Sequence, residues 1–301
     1  MPVLFRRLAV LTAVFAYVQI ALGGLVRVSG SGLGCPDWPL CHGRPYPPAD
    51  ARAIIEYSHR AVGSVTGVLI IATVVLAWVV WRTRRPIVAW LATASLLGVV
   101  GEGLLGAQVV KTELSSWLVL AHLALAMIIL GFLVAAAVMS MPVKTASADP
   151  AYRRLAAVAV GATYVLLLSG STVVASGADE ACHSWPLCGS GFAPDFAGVN
   201  AYTMLHRGAV LIIGALLLFA LLRGMRQPGL RAVSIATLLV LALQVAVGAG
   251  AAITNGALFN GFHVAVATLV WAGVLTTALL TLPRTDRAPQ LSRLAVEQGF
   301  E

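Results

Sequence analysis

The chain has 301 residues, 59% of them hydrophobic and only 11% charged, with a mean hydropathy of +0.90 and a formal net charge of +8. A soluble domain carries roughly 25% charged residues, so a water-solvated fold is excluded and the lipid bilayer is the expected solvent. A basic balance points to nucleic acid only where the cations form a binding surface, and their placement along this chain excludes that as well.

Apolar runs long enough to cross a hydrocarbon core of about 30 Å fall near 8–26, 58–81, 87–109, 118–140, 156–175, 204–222, 232–253 and 261–282. The reading is an all-α integral membrane protein of eight transmembrane helices. The first run follows Arg6 and Arg7 and leads into Gly-Gly-Leu-Val-Arg with no small-x-small cleavage site, so it reads as a retained helix and not a signal peptide. Between the first and second runs lies a loop with Cys35-Pro-Asp-Trp-Pro-Leu-Cys41; Glu56 stands just before the second run, which opens with His59 and Arg60. The third run contains Glu102 and the fourth begins beside His122. A polar stretch over 142–155, with Pro142, Lys144, Asp149 and Pro150, reads as a linker.

The second part then repeats the first. Cys182-His-Ser-Trp-Pro-Leu-Cys188 and His206-Arg207 match the first loop and His59-Arg60 at an offset of 147; Gln244 matches Glu102 at 142, and His263 matches His122 at 141. Each copy has an even number of spans, which predicts two parallel four-helix-bundle repeats related by an axis along the membrane normal. The expected division is 1–141, linker 142–155, 156–283, and a polar tail 284–301. Fourteen of the 20 cations fall on one side: Arg6, Arg7, Arg82, Arg84, Arg85, Lys144, Arg153, Arg154, Arg223, Arg226, Arg231, Arg284, Arg287 and Arg293. The positive-inside rule then places both termini of this multi-pass cell-membrane protein in the cytoplasm and the cysteine loops outside. Outside the cytoplasm thiols oxidise, so the pairs Cys35–Cys41 and Cys182–Cys188 read as disulfides. The alternatives are a redox-active pair or a metal site with His42 or His183.

Four histidines, His59, His122, His206 and His263, lie in apolar spans at one shared depth near the outer end. An ionisable group inside a bilayer is a functional hypothesis by default. Zinc would recruit thiolates or carboxylates; two imidazoles from facing helices suit the axial positions of haem iron. Small residues four or eight positions on, Gly63 and Gly67 after His59, Gly214 after His206, Ala126 after His122 and Ala267 after His263, leave room for a flat macrocycle, or serve close helix packing. Arg60 and Arg207 suit haem propionates or lipid headgroups.

The residues that break the repeat come next. Glu56 lies three positions before His59, while its counterpart is Thr203; a carboxylate beside one haem suggests one reactive haem and one electron carrier, or else a helix cap. Arg27, facing Val174 in the repeat, holds a substrate propionate or marks the membrane boundary. Glu102 handles protons or forms an interhelical hydrogen bond.

The run Gly-Gly-Leu-Val-Arg27-Val-Ser-Gly-Ser-Gly-Leu-Gly-Cys35-Pro-Asp-Trp-Pro-Leu-Cys41, followed by Glu56-Tyr-Ser-His59-Arg60 and then by His122, Cys182, Cys188, His206 and His263, resembles the haem A synthase family over nearly the whole chain. Glu102 stands where the family more usually has an amide. The resemblance implies a membrane oxidoreductase that converts the C8 methyl of haem O to a formyl group by successive hydroxylation, with loss of water from the hydrate. It implies His59 and His122 as ligands of the substrate haem, Glu56 as the catalytic group assisting proton transfer or stabilising positive charge, and a permanent haem b, with its iron on His206 and His263, as electron carrier. The implied partners are haem O synthase (the protohaem farnesyltransferase) as substrate donor and a membrane quinol or another electron donor; association into a homo-oligomer is left open. The rival readings are a di-haem b electron-transfer protein of the quinol oxidoreductase type, which needs haems at two depths, and a transporter, which needs helices broken at the midplane.

Overall fold

The computed structural model describes residues 1–142, 148–182, 184–188, 193–254 and 256–283, and among them its extended elements are all α-helices. The helices are α1 (Pro2–Val28), α2 (Ala51–Trp81), α3 (Pro86–Lys111), α4 (Ser116–Ser140), α5 (Pro150–Ala175), the single turn α6 (Ala178–Ala181), α7 (Asn200–Gly224), α8 (Arg231–Thr254) and α9 (Ala257–Leu279). All but α6 are long and apolar enough to span a membrane, so the chain is a multi-pass membrane protein. The expected tail, 284–301, lies outside the described residues, as does the stretch 143–147 of the linker.

Local chemistry sets the helix starts. Pro2, Pro86 and Pro150 occupy first-turn positions, where a missing N–H costs nothing. Asp50 caps α2 by accepting from the Ala53 amide at 3.0 Å, so α2 begins seven residues before the apolar run. Its 31 residues rise about 46 Å at 1.5 Å each, longer than a hydrocarbon core of about 30 Å, so its polar first turns extend beyond the apolar span.

In the first half, α1 packs on α2, α2 on α3, α3 on α4, and α4 back on α1. Phe5, Ala9, Ala77, Trp81, Val88, Ala89, Ala92, Ala136 and Ala137 join all four helices in one core. Lipid is as apolar as these side chains, so close approach through small residues supplies the attraction. The Thr12 and Thr73 hydroxyls add a buried hydrogen bond of 2.9 Å between α1 and α2. In the second half α5 packs on α7, α7 on α8 and α8 on α9, around Ala159, Leu217, Ala220, Val270 and Val274.

Where the halves meet, α1 touches α9, α4 touches α5, and α4 touches α9. Under the repeat, α1 corresponds to α5 and α4 to α9, so these contacts are reciprocal and accord with the parallel repeat. Trp271 on α9 is the central anchor: its indole N–H donates to the Met127 carbonyl at 3.1 Å, and its ring lies 5.6 Å from that of Tyr164, whose hydroxyl donates to the Ala124 carbonyl at 3.0 Å.

Candidate functional site

His59, His122, His206 and His263 lie six to eight residues inside the first turns of α2, α4, α7 and α9, about 9–12 Å along each axis. All four rings are half-buried. His59 and His122 are close enough that a charge on one is felt at the other, and so are His206 and His263. The sequence-derived sites thus gather into two pairs, one in each half.

Each ring lies against a glycine and a polar side chain of the preceding span. A Cβ on Gly23 would come within 3.2 Å of His59 Cε1, on Gly106 within 3.2 Å of His122 Cε1, on Gly170 within 3.1 Å of His206 Cε1, and on Gly248 within 2.9 Å of His263 Cε1. The polar neighbours are Gln19, whose Nε2 is 3.2 Å from His59 Nε2; Glu102, whose Oε1 is 3.1 Å from His122 Nδ1; Ser169, whose Oγ is 2.8 Å from His206 Nδ1; and Gln244, whose Nε2 is 3.0 Å from His263 Nδ1. Gln19 and Gly23, Glu102 and Gly106, and Gln244 and Gly248 are each four residues apart, on one helix face. Glu102 and Gln244 were singled out from the sequence as a matched pair; Gln19, Gly23, Ser169 and Gly170 were not, although Gly23 and Gly170 share the histidines' offset of 147. The small residues expected to flank the rings contribute differently: a Cβ on Gly67 or Gly214 would touch nothing within 4 Å, whereas one on Gly63 would meet Gln19 Nε2 at 3.0 Å.

These surroundings fit a bis-histidine macrocycle site. Gln19 Oε1, His59 Nδ1, Glu102 Oε2, His122 Nδ1 and Gln244 Oε1 are buried without hydrogen-bond partners, and buried polar groups are normally satisfied. The Glu102 and His122 atoms are near enough for an ion pair but out of line for a hydrogen bond. Turning the Gln244 amide by 180° would place its orphan oxygen on His263 Nδ1. Nδ1 would then carry the hydrogen and Nε2 the lone pair that a metal needs.

Beside the first histidine of each pair a cystine loop is held to the arginine that follows that histidine. Disulfides join Cys35 to Cys41 and Cys182 to Cys188, so no thiolate remains for the metal alternative; His183 lies outside the described residues. Each loop turns through a cis Trp–Pro bond, at Trp38–Pro39 and Trp185–Pro186. Arg60 donates to the carbonyls of Asp37, Leu40 and Cys35, and Arg207 to those of Ser184 and Pro186. Both guanidiniums expected at propionates or headgroups therefore hold the loops down. Asp37 accepts from the His42 and Gly43 amides; the bond from Gly43 first, then that from His42, holds its carboxyl below the usual range.

The chain as a whole has relatives among known proteins. Residues 6–275 match the model of the cytochrome oxidase assembly protein family. The chain belongs to the haem A synthase family. Its relatives include haem A synthases of Shouchella clausii, 30% identical over 71% of this chain and 73% of the relative; of Geobacillus kaustophilus, 29% identical over 91% and 90%; and of Bacillus licheniformis, 26% identical over 95% and 98%.

Within this family member the two halves differ at three points that the sequence singled out. Glu56 is 4% exposed; its Oε2 accepts from the Cys35 amide at 2.8 Å and its Oε1 pairs with Arg60. The matching Thr203 is also buried and offers only a 3.4 Å contact to the Ala178 carbonyl. Arg27 reaches across to Asp179 of the other half at 3.4 Å on the exposed face. Glu102 lies beside His122, where Gln244 lies beside His263.

Proposed function

We propose that the chain oxidises the C8 methyl of haem O to a formyl group, giving haem A, with the substrate held between His59 and His122 and a haem b held between His206 and His263. The observation that carries this reading is the pairing of four half-buried imidazoles, each cradled by a glycine, in two copies of one arrangement. The relatives bear the name haem A synthase, and this activity extends that name to the chain. Bound on His206 and His263, haem b supplies one-electron transfer.

Each of the two hydroxylations inserts one oxygen atom of dioxygen into a C–H bond of the methyl, the other oxygen atom leaving as water with two protons and two electrons from the external donor. The methyl becomes a hydroxymethyl and then a geminal diol, and loss of water leaves the aldehyde. Glu56, one turn outside His59, is the ionisable group placed to accept and return protons during these steps, since a carboxylate keeps lone pairs beyond those used by Cys35 and Arg60. The Cys35–Cys41 loop, clasped by Glu56 and Arg60, keeps water from the reacting edge. Haem O arrives from the protohaem farnesyltransferase and electrons from a membrane quinol, with both termini cytoplasmic and the cystine loops outside. All four histidines lie toward the same end of the bundle as the loops, which disfavours a carrier moving electrons from one membrane face to the other.

Extraction of haems from the purified protein, identified by mass, tests the proposal. Haem B together with haem O or A is expected, and His206→Ala loses the haem B. Haem B alone would indicate the electron carrier, and no haem would remove the reading.

A further inference from the structure

Of the four polar side chains that meet the imidazoles, Gln19, Glu102, Ser169 and Gln244, only one is a carboxyl group. Glu102 and Gln244 occupy matching places in the repeat and face matching histidines, at 3.1 and 3.0 Å from Nδ1. Both lie within the protein, the Glu102 side chain 14% exposed and that of His122 28%. Glu102 Oε2 and His122 Nδ1 remain buried without hydrogen-bond partners, which is unusual for two polar groups so close.

We infer that Glu102 is the positioning residue of His122: it takes the Nδ1–H of the ring, fixes Nε2 toward the iron, and gives the first-half iron a lower reduction potential than Gln244 gives the second. The inference rests on the haem-ligand reading above. A histidine that ligates through Nε2 carries its hydrogen on Nδ1, and the group accepting that hydrogen sets the ring's orientation and its strength as a donor. A carboxylate accepts more strongly than an amide oxygen. The ring beside Glu102 therefore donates more electron density and favours the oxidised iron, which suits the half where the macrocycle's own methyl is to lose electrons. The ring beside Gln244 leaves its iron easier to reduce, which suits an electron carrier.

The test is a potentiometric titration of the full chain with haem B in both halves, the first-half haem being the one that His122→Ala loses. Glu102→Gln raises the first-half midpoint by at least the equivalent of tenfold in the reduction equilibrium, 59 mV for one electron, and leaves the second-half haem in place. Gln244→Glu moves the second-half haem the opposite way, and it carries the test alone if Glu102→Gln does not fold. The inference is overturned if neither variant moves its own haem by that margin, or if both haems move together, as a general loosening would make them do. Unchanged potentials in a protein whose first-half haem still depends on His122 sink only this inference. Should His122→Ala retain both haems, the ligand reading falls with it.

Discussion

At the scale of single residues, Glu56 joins two duties that substitution can separate. Glu56→Gln keeps an oxygen for the Cys35 amide but removes the charge that faces Arg60. Glu56→Ala removes both, and breaking a buried pair typically costs about 3–5 kcal/mol. The expected outcome is that Glu56→Gln retains both haems yet yields no haem A, whereas Glu56→Ala also frees the loop, seen as faster proteolysis between 35 and 50. Normal haem A from Glu56→Gln would remove the residue from the chemistry. The glycine cradles make a second prediction, sharpest at Gly248, where an added Cβ would sit 2.9 Å from His263 Cε1. Alanine favours a helix over glycine by about 1 kcal/mol, so Gly248→Ala should leave the helix intact and still turn the ring. Haem stoichiometry should fall from two to one per chain, with the second-half spectrum lost.

At the scale of elements, the first loop is pressed onto the start of α2. A Cβ on Gly34 would fall 2.5 Å from the carbonyl carbon of Arg52, and backbone cannot yield as a flexible side chain can. Gly34→Ala should therefore lift the loop, speed chemical reduction of Cys35–Cys41 and lower haem A yield, while the second-half haem stays bound; unchanged reduction and yield would argue against a lid. The same loop carries a pH dependence. Because the Asp37 carboxyl is held below its ordinary 3.8 by the Gly43 and His42 amides, its contribution is complete above that value and fades as pH falls through the lower folded one. Exchange of the His42 and Gly43 amides should stay slow at pH 5 and quicken only below 3.8, and Asp37→Asn should remove the transition. The elements themselves were largely legible: eight apolar runs gave eight spans, and the placement of the cysteine loops gave the two cystines. The boundaries were less so, since hydropathy does not register the polar first turns of α2 that Asp50 caps. Periodicity shows which residues share a face of one helix, but not which helix faces it. That is why Gly63 was expected beside His59 when Gly23 of α1 touches the ring, and why loop carbonyls were not foreseen as partners of Arg60 and Arg207.

At the scale of the whole molecule, the two proposed haem sites would work as one enzyme only if the halves keep a fixed relation, and the seam through Met127, Tyr164 and Trp271 joins them. The contact lies one to two turns from His122 on α4 and about two turns from His263 on α9, so movement there reaches both sites. Burial from water contributes little to such a seam, because lipid is no less apolar than the interior; packing and interhelical hydrogen bonds remain. Trp271→Phe keeps most of the volume and loses the N–H to the Met127 carbonyl, a loss of about 0.6 kcal/mol for an average membrane hydrogen bond. Trp271→Ala also opens a cavity beside Leu130 and Tyr164 and should cost about 3 kcal/mol, the low end for such truncations. Thermal unfolding in detergent, followed by haem absorbance, should show a small shift for the first variant and a large one for the second. If the halves are held by this seam, the alanine variant also slows electron transfer between its two haems without changing either reduction potential. A variant that melts like the wild type would place the joint elsewhere.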